Sequence, residues 1–282
     1  MAVKLVVESS SDINSIEAQN LGITMLPIPI TFGNEEFMDG VNITNEEFYE
    51  KLVKSEKLPK TSMVNSFRFE ESFAEHIKNG DEVIAIVLSS GLSGTYSAAK
   101  SAAENFKDKV FVVDSLSATA GLKILIEYAL ALINEGKSAK EIYEILEQKK
   151  GKIQVIAMVD TLKFLKKGGR VSPLVAFAGE LMGIKPMASI VNGKVEVIGK
   201  AIGLKKAISF INNKIENVGG IDFSLPFYAL YSGNDQTKVD NYIRDNANLW
   251  KCGIENVRKN CIGATIGTHV GPGAIGIVFF SK

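Results

Sequence analysis

The sequence predicts a chain in two parts, a parallel α/β half followed by an α+β half. Three observations predict it. Up to about residue 160, apolar runs of strand length alternate with capped, amphipathic helical stretches. Beyond that point, Asn192-Gly193 between two apolar runs marks a two-residue hairpin, a signature of antiparallel pairing. The length, 282 residues, suits roughly two domains at ~150 residues each.

Residues 4–8 read as a strand, and Ser11 or Asp12 caps a short helix toward Asn20. Residues 24–32 are extended, with Pro27 and Pro29 placing them on an edge or in an irregular strand. Thr44 and Glu47 spell a capping box ahead of Phe48, Leu52 and Val53 on one helical face. A helix over 67–78 closes at Gly80. Residues 82–89 form a continuous apolar run, the pattern of a strand covered on both faces. A Gly/Ser loop, a helix to Phe106 and a strand over 109–113 follow. Residues 122–133 are helical, Ser138 and Glu141 box the start of a helix to Lys149, and 153–159 read as another buried strand. Strands separated by helices need crossover connections, so residues 1–160 are expected as a mainly parallel, Rossmann-like α/β domain.

After Thr161 the rhythm changes. Ser172-Pro173 starts a helix ended by Gly183. Strands over 186–191 and 194–198 flank the hairpin turn, and a helix over 204–217 and a strand over 227–232 follow. A helix from Asp235 toward Trp250 and two closing strands complete an α+β domain over residues 161–282. The cleft between the two domains is the expected ligand site.

Composition excludes several classes. Thirty-two Lys+Arg balance 32 Asp+Glu, so no global positive field favours nucleic acid or a polybasic membrane clamp. Two cysteines and two histidines fit no metal-ligand spacing, and no metal is expected. Met1-Ala2-Val3-Lys4 runs into a strand with no secretory leader, and the longest apolar run is six residues against the ~20 of a membrane span. A cytoplasmic protein with free Cys252 and Cys261 is therefore expected.

Four segments gather small, polar and glycine residues where loops should be. Ser89-Ser90-Gly91-Leu92-Ser93-Gly94-Thr95 lies between a buried strand and a helix; its glycines, hydroxyls and helix N-terminus suit a carboxylate or phosphate, or serve a plain strand-to-helix turn. It misses the hydrolase nucleophile elbow by one residue, Thr95 standing where the second glycine belongs. Thr61-Ser62 offers two adjacent hydroxyls at a loop end, also explicable as capping. His269 sits in a glycine-rich loop between two strands, whereas His76 reads as a surface residue on a helix. Lys166, Lys167 and Arg170 around Gly168-Gly169 make a local positive patch or a solvated interdomain loop.

Together these segments resemble the DegV family, which includes the fatty-acid-binding subunits of bacterial fatty acid kinase. The motifs run through nearly the whole chain: Glu8-Ser9-Ser10 (usually with Asp first), Thr61-Ser62, Ser89 to Thr95, Val113-Asp114-Ser115, Leu165 to Arg170, Ile184 to Pro186, and His269-Val270-Gly271-Pro272-Gly273. The resemblance implies a DegV-like, two-domain protein without catalytic centre or cofactor, holding one long-chain fatty acid in a buried interdomain tunnel. It implies that the carboxylate is bound at Thr61, Ser62, Ser93, Gly94, Thr95 and His269. Phe177, Leu181, Met182 and Met187 are read as tail lining, methionine being adaptable to flexible tails, although each also suits an ordinary core. In the family's kinase system a separate kinase phosphorylates the presented acid, which makes Lys166, Lys167, Arg170 and Lys205 candidate docking charges. Two departures stand out. Met63-Val64-Asn65 replaces the usual Gln-Pro-Ser, and Ile202 occupies a position where many kinase-partnered members carry Arg. An aliphatic supplies no charge-assisted contact, so the resemblance carries fatty-acid binding further than kinase partnership. The rival reading is a serine hydrolase or acyl-transfer enzyme using Ser93 and His269, with Asp12 or Asp160 behind the imidazole.

Overall fold

A computed structural model describes residues 2–170 and 183–282. The chain opens with β1 (Val3–Glu8), α1 (Ser15–Leu21), β2 (Thr24–Leu26), β3 (Pro29–Phe32), β4 (Glu35–Met38) and α2 (Asn45–Lys54). Asn14, not Ser11 or Asp12, caps α1, its Oδ1 accepting the Glu17 amide at 2.9 Å. Asp12 instead sits at φ +63 with its carboxylate turned inward. The expected capping box at Thr44 and Glu47 forms, a feature worth ~1 kcal/mol. Pro27, lacking an amide hydrogen, divides the extended segment. Beyond it β3 leaves for a small antiparallel sheet with β4 and β5 (Lys60–Thr61).

Next come α3 (Ser66–Lys78), β6 (Glu82–Val87), α4 (Thr95–Ala103), β7 (Val110–Asp114), α5 (Ala120–Asn134), α6 (Ala139–Lys149) and β8 (Ile153–Met158). Strands in the order β2-β1-β6-β7 form a sheet in which every pairing is parallel, as the alternation requires. The remaining elements are α7 (Lys163–Gly168), β9 (Ile184–Val191), β10 (Lys194–Ile202), α8 (Gly203–Asn217), β11 (Tyr228–Tyr231), α9 (Thr237–Asp245), β12 (Lys259–Cys261), α10 (Ala264–Val270) and β13 (Ile275–Phe280). A six-stranded mixed sheet runs β10-β9-β8-β13-β11-β12, so the expected pairing of a parallel α/β region with an α+β region holds.

Strand β8 departs from its sequence reading as a further parallel strand. Two successive helices, α5 and α6, carry the chain to the other sheet, where β8 pairs antiparallel with β13 and β9. Helix α9 ends at Asp245 rather than near Trp250; the indole is buried, its Nε1 donating to the Ile243 carbonyl at 3.0 Å.

One helix joins the two sheets. Leu122, Ile124, Leu125, Ile126, Ala129 and Leu132 of α5 are buried in a core that also takes Leu5, Val7 and Ile84 from the parallel sheet and Val155, Leu230 and Val278 from the mixed sheet. A helix apolar around most of its circumference belongs between layers. Among the described residues no helix is long and apolar enough to cross a membrane.

Candidate functional site

Parallel sheets place ligand loops at the carboxyl ends of their strands, where the strand order reverses. Here that point lies between β1 and β6. The loop after β6 is held from the other half of the chain. Ser89 Oγ donates to the carbonyl of Gly193 at the hairpin tip (2.7 Å), and any side chain at Gly91 would strike that same oxygen, its Cβ only 2.6 Å away. Gly193 itself needs φ +76 and leaves no room for a Cβ against Ser89. The hairpin turn read from Asn192-Gly193 thus doubles as a latch on the Ser-Gly loop.

Ser93 and Gly94, ahead of α4, line a cavity together with Thr61 and Ser62 from the end of β5 and His269 from α10. Thr95 does not face it; fully buried, its Oγ1 lies 2.9 Å from Ser93 Oγ and its amide donates to that hydroxyl at 3.2 Å. Thr95 therefore orients Ser93. The histidine lies on a helix rather than in the expected loop. Its glycines have structural roles in and after that helix: Gly267 lets the helix pack against Phe48 and Tyr49, and Gly271, at φ +74, ends it.

His269 Nε2 sits 3.1 Å from Thr61 Oγ1. Its Nδ1 is buried without a hydrogen-bond partner among the described residues and lies against Gly168, where a Cβ would come within 2.3 Å. Gly168 is thus a space-maker for the imidazole, while Gly169, at φ +67, ends α7. Burial, and secondarily the Arg170 guanidinium, pull the imidazole pKa down to about 4. His269 is therefore neutral at pH 7 and carries one N–H. With that hydrogen on Nε2 it goes to Thr61 Oγ1, which frees the threonine hydrogen for a ligand oxygen.

Arg170 lines the mouth, its guanidinium bonded to the Gly168 carbonyl, and Lys166 and Lys167 are exposed on α7. The expected solvated loop is thus partly helical. Lys205 is exposed in the first turn of α8, near Ile202, which is 65% exposed. His76 is half-buried rather than a plain surface residue, its Nε2 2.9 Å from Thr24 Oγ1.

Away from these groups the wall of the cavity, about 290 Å³, is mostly apolar: Val155 and Ala157 on β8 with Val159 just beyond it, Ala188 and Ile190 on β9, and Leu230 on β11. Ala157 and Ala188 are direct cross-strand partners, so two methyl side chains leave a trough in the sheet face. Sequence reading missed them, because a continuous apolar run does not reveal which face meets a cavity. Met187, expected along the tail, is buried on the opposite sheet face with Ile156 and Met158; strand alternation puts it there. Phe177, Leu181, Met182 and the helix begun at Ser172-Pro173 lie outside the described residues.

A hydrolase would need a serine–histidine bond and an acid behind the ring. Here Ser93 pairs with Thr95 and His269 with Thr61. Asp160 pairs with Lys185, and Asp12 binds Thr119, Asn260 and Gly263.

The model of the DegV family matches residues 2–282. The chain belongs to the DegV family. A DegV domain-containing protein of Caldanaerobacter subterraneus is 33% identical over 283 residues, 99% of each chain. A solved DegV family protein from Thermus thermophilus, described by its fatty acid binding, superposes with TM-score 0.88 at 30% identity over 100% of both chains. Another from Eubacterium eligens, loaded with heptadecanoic acid, gives 0.81 at 25% identity, again over 100% of both. Of the DegV motifs of this chain, the Thr-Ser pair, the Ser-Gly loop and the histidine line the cavity, and Gly168 packs against the histidine ring.

Proposed function

We propose that this DegV protein binds one long-chain fatty acid, its carboxylate at Thr61, Ser62, Ser93, Gly94 and His269 and its tail in the apolar cavity between the sheets. One observation carries the reading: Thr61, Ser62, Ser93, Gly94 and His269 line one cavity whose other walls are mostly apolar. Apolar volume with a few convergent polar groups is the pattern of an amphiphile site. The grip works by hydrogen bonds: three hydroxyls and the α4 N-terminus share the anion, the neutral imidazole acts through Thr61, and Arg170 lines the same cavity. No step in this scheme breaks a covalent bond, and the chain acts as a carrier. Exposed Lys166 and Lys167, with Arg170 and Lys205, are the docking charges for a separate kinase acting on the presented carboxylate.

Native mass spectrometry of the protein purified from a bacterial host, followed by organic extraction, tests the reading. A stoichiometric long-chain acid is expected. Protein that is repeatedly empty and takes up neither palmitate nor oleate would refute it. A fluorophosphonate probe should leave Ser93 unlabelled; labelling lost in Ser93→Ala would establish the hydrolase instead.

A further inference from the structure

Helix α10 spans seven residues, Ala264–Val270. Isolated helices below ~12–15 residues are marginal in water, so one this short exists only as its anchors dictate. Its opening amide groups have no intrahelical acceptors. Two buried carboxylates from the first 40 residues take them. Asp12 Oδ1 accepts the Gly263 amide at 2.8 Å, and Asp39 Oδ2 accepts the Thr265 amide at 3.1 Å and the Thr265 hydroxyl at 2.5 Å. The second oxygen of Asp12 accepts Asn260 Nδ2 at 2.6 Å and the hydroxyl of Thr119, itself a cavity residue. Tyr49 adds a third tie, its hydroxyl donating to the Ile262 carbonyl at 2.8 Å.

We propose that Asp12 and Asp39 are positioning residues for the carboxylate grip: by fixing the start of α10 they set where His269 projects. The inference rests on the reading of His269, acting through Thr61, as part of the carboxylate grip. Geometry makes α10 a short lever, with both acids at one end and the imidazole, wedged between Thr61 and Gly168, at the other. A serine or asparagine would cap such a helix at lower cost. Burial raises both acids' pKa values, that of Asp12 to about 7, so ionised caps are an expensive choice. What they add is acceptors: Asp12 takes Gly263, Asn260 and Thr119 on its two oxygens, and Asp39 takes both the amide and the hydroxyl of Thr265.

The test reads His269 itself. Histidine-selective ¹⁵N labelling gives two imidazoles, separated by His76→Gln. In the wild type His269 should stay neutral far below the ordinary 6.5. Asp39→Ala and Asp12→Ala should raise its midpoint by about one pH unit or more as the imidazole loosens toward solvent. Bound palmitate should exchange roughly tenfold faster, the scale of one lost hydrogen bond to a charged group. Asp39→Asn, which keeps a carbonyl acceptor for the Thr265 amide, should restore most of both. Thr265→Val removes only the hydroxyl donor and serves if the alanine variants do not fold; it should move the midpoint the same way by less. Variants that melt earlier but leave the His269 midpoint unchanged would overturn the proposal. A midpoint that moves in protein taking up no palmitate would support the positioning role and refute the fatty-acid reading.

Discussion

His269 is a neutral hydrogen-bonding group, and its neutrality has a pH signature. Its folded pKa of about 4 lies below the ordinary 6.5, so its share of stability is complete above 6.5 and is lost as pH falls toward 4. Asp12 works the other way. With a folded pKa of about 7 against 3.8, it holds a proton that the unfolded chain releases, so stability falls as pH rises from 3.8 to about 7. Glu8 and Asp39, also raised by burial, share that sign. The two slopes oppose each other, so calorimetry should read a difference: the melting temperature of the wild type relative to Asp12→Asn should fall as pH rises from about 4 to about 7. At the grip, Thr61→Ala and Ser93→Ala should each weaken palmitate retention by about 1.5–3 kcal/mol. That Thr61, Ser62, Ser93 and Gly94 would line one cavity was legible because hydroxyls and glycines gather at loop positions. Asp12 and Asp39 were not, since an acid in a loop gives no sign of which distant amide it meets.

Whole elements depend on spacing that side-chain chemistry does not announce. Long capped helices such as α2 and α6 follow their capping boxes. The two short helices α7 and α10 look like loops in sequence because glycines interrupt them, yet Gly168 and Gly267 create contacts. This separates two adjacent residues. Gly168→Ala puts a methyl onto the His269 ring and should accelerate palmitate release, whereas Gly169→Ala strains a left-handed cap, costing ~1 kcal/mol of stability with release near wild type. Melting curves beside exchange rates distinguish the two. On the sheet, Ala157→Leu fills the trough facing Ala188 and should shift the extracted acids toward shorter chains or leave the protein empty. Extraction of that variant showing an unchanged acid profile would place the tail elsewhere.

At the scale of the molecule, two sheets share α5, and each half of the chain holds a working part of the other. Asp12 and Asp39 steady the helix that carries His269, and the hairpin tip at Gly193 steadies the loop that carries Ser93. The parallel order of the first sheet was legible from alternation. That β8 joins the second sheet was not, because a strand apolar on both faces suits either. A ligand bridging these parts should couple them: saturating palmitate at about 100 times its dissociation constant should stabilise the fold by ~2.7 kcal/mol, read as a concentration-dependent melting temperature. The neutral imidazole has one more consequence, in the electrical balance of the complex. The empty chain has formal net charge zero, and hydroxyls, amides and an uncharged ring return no positive charge when an anion arrives. Loading one ionised acid therefore makes the protein one charge more negative, so filled and empty molecules should part on an anion-exchange column.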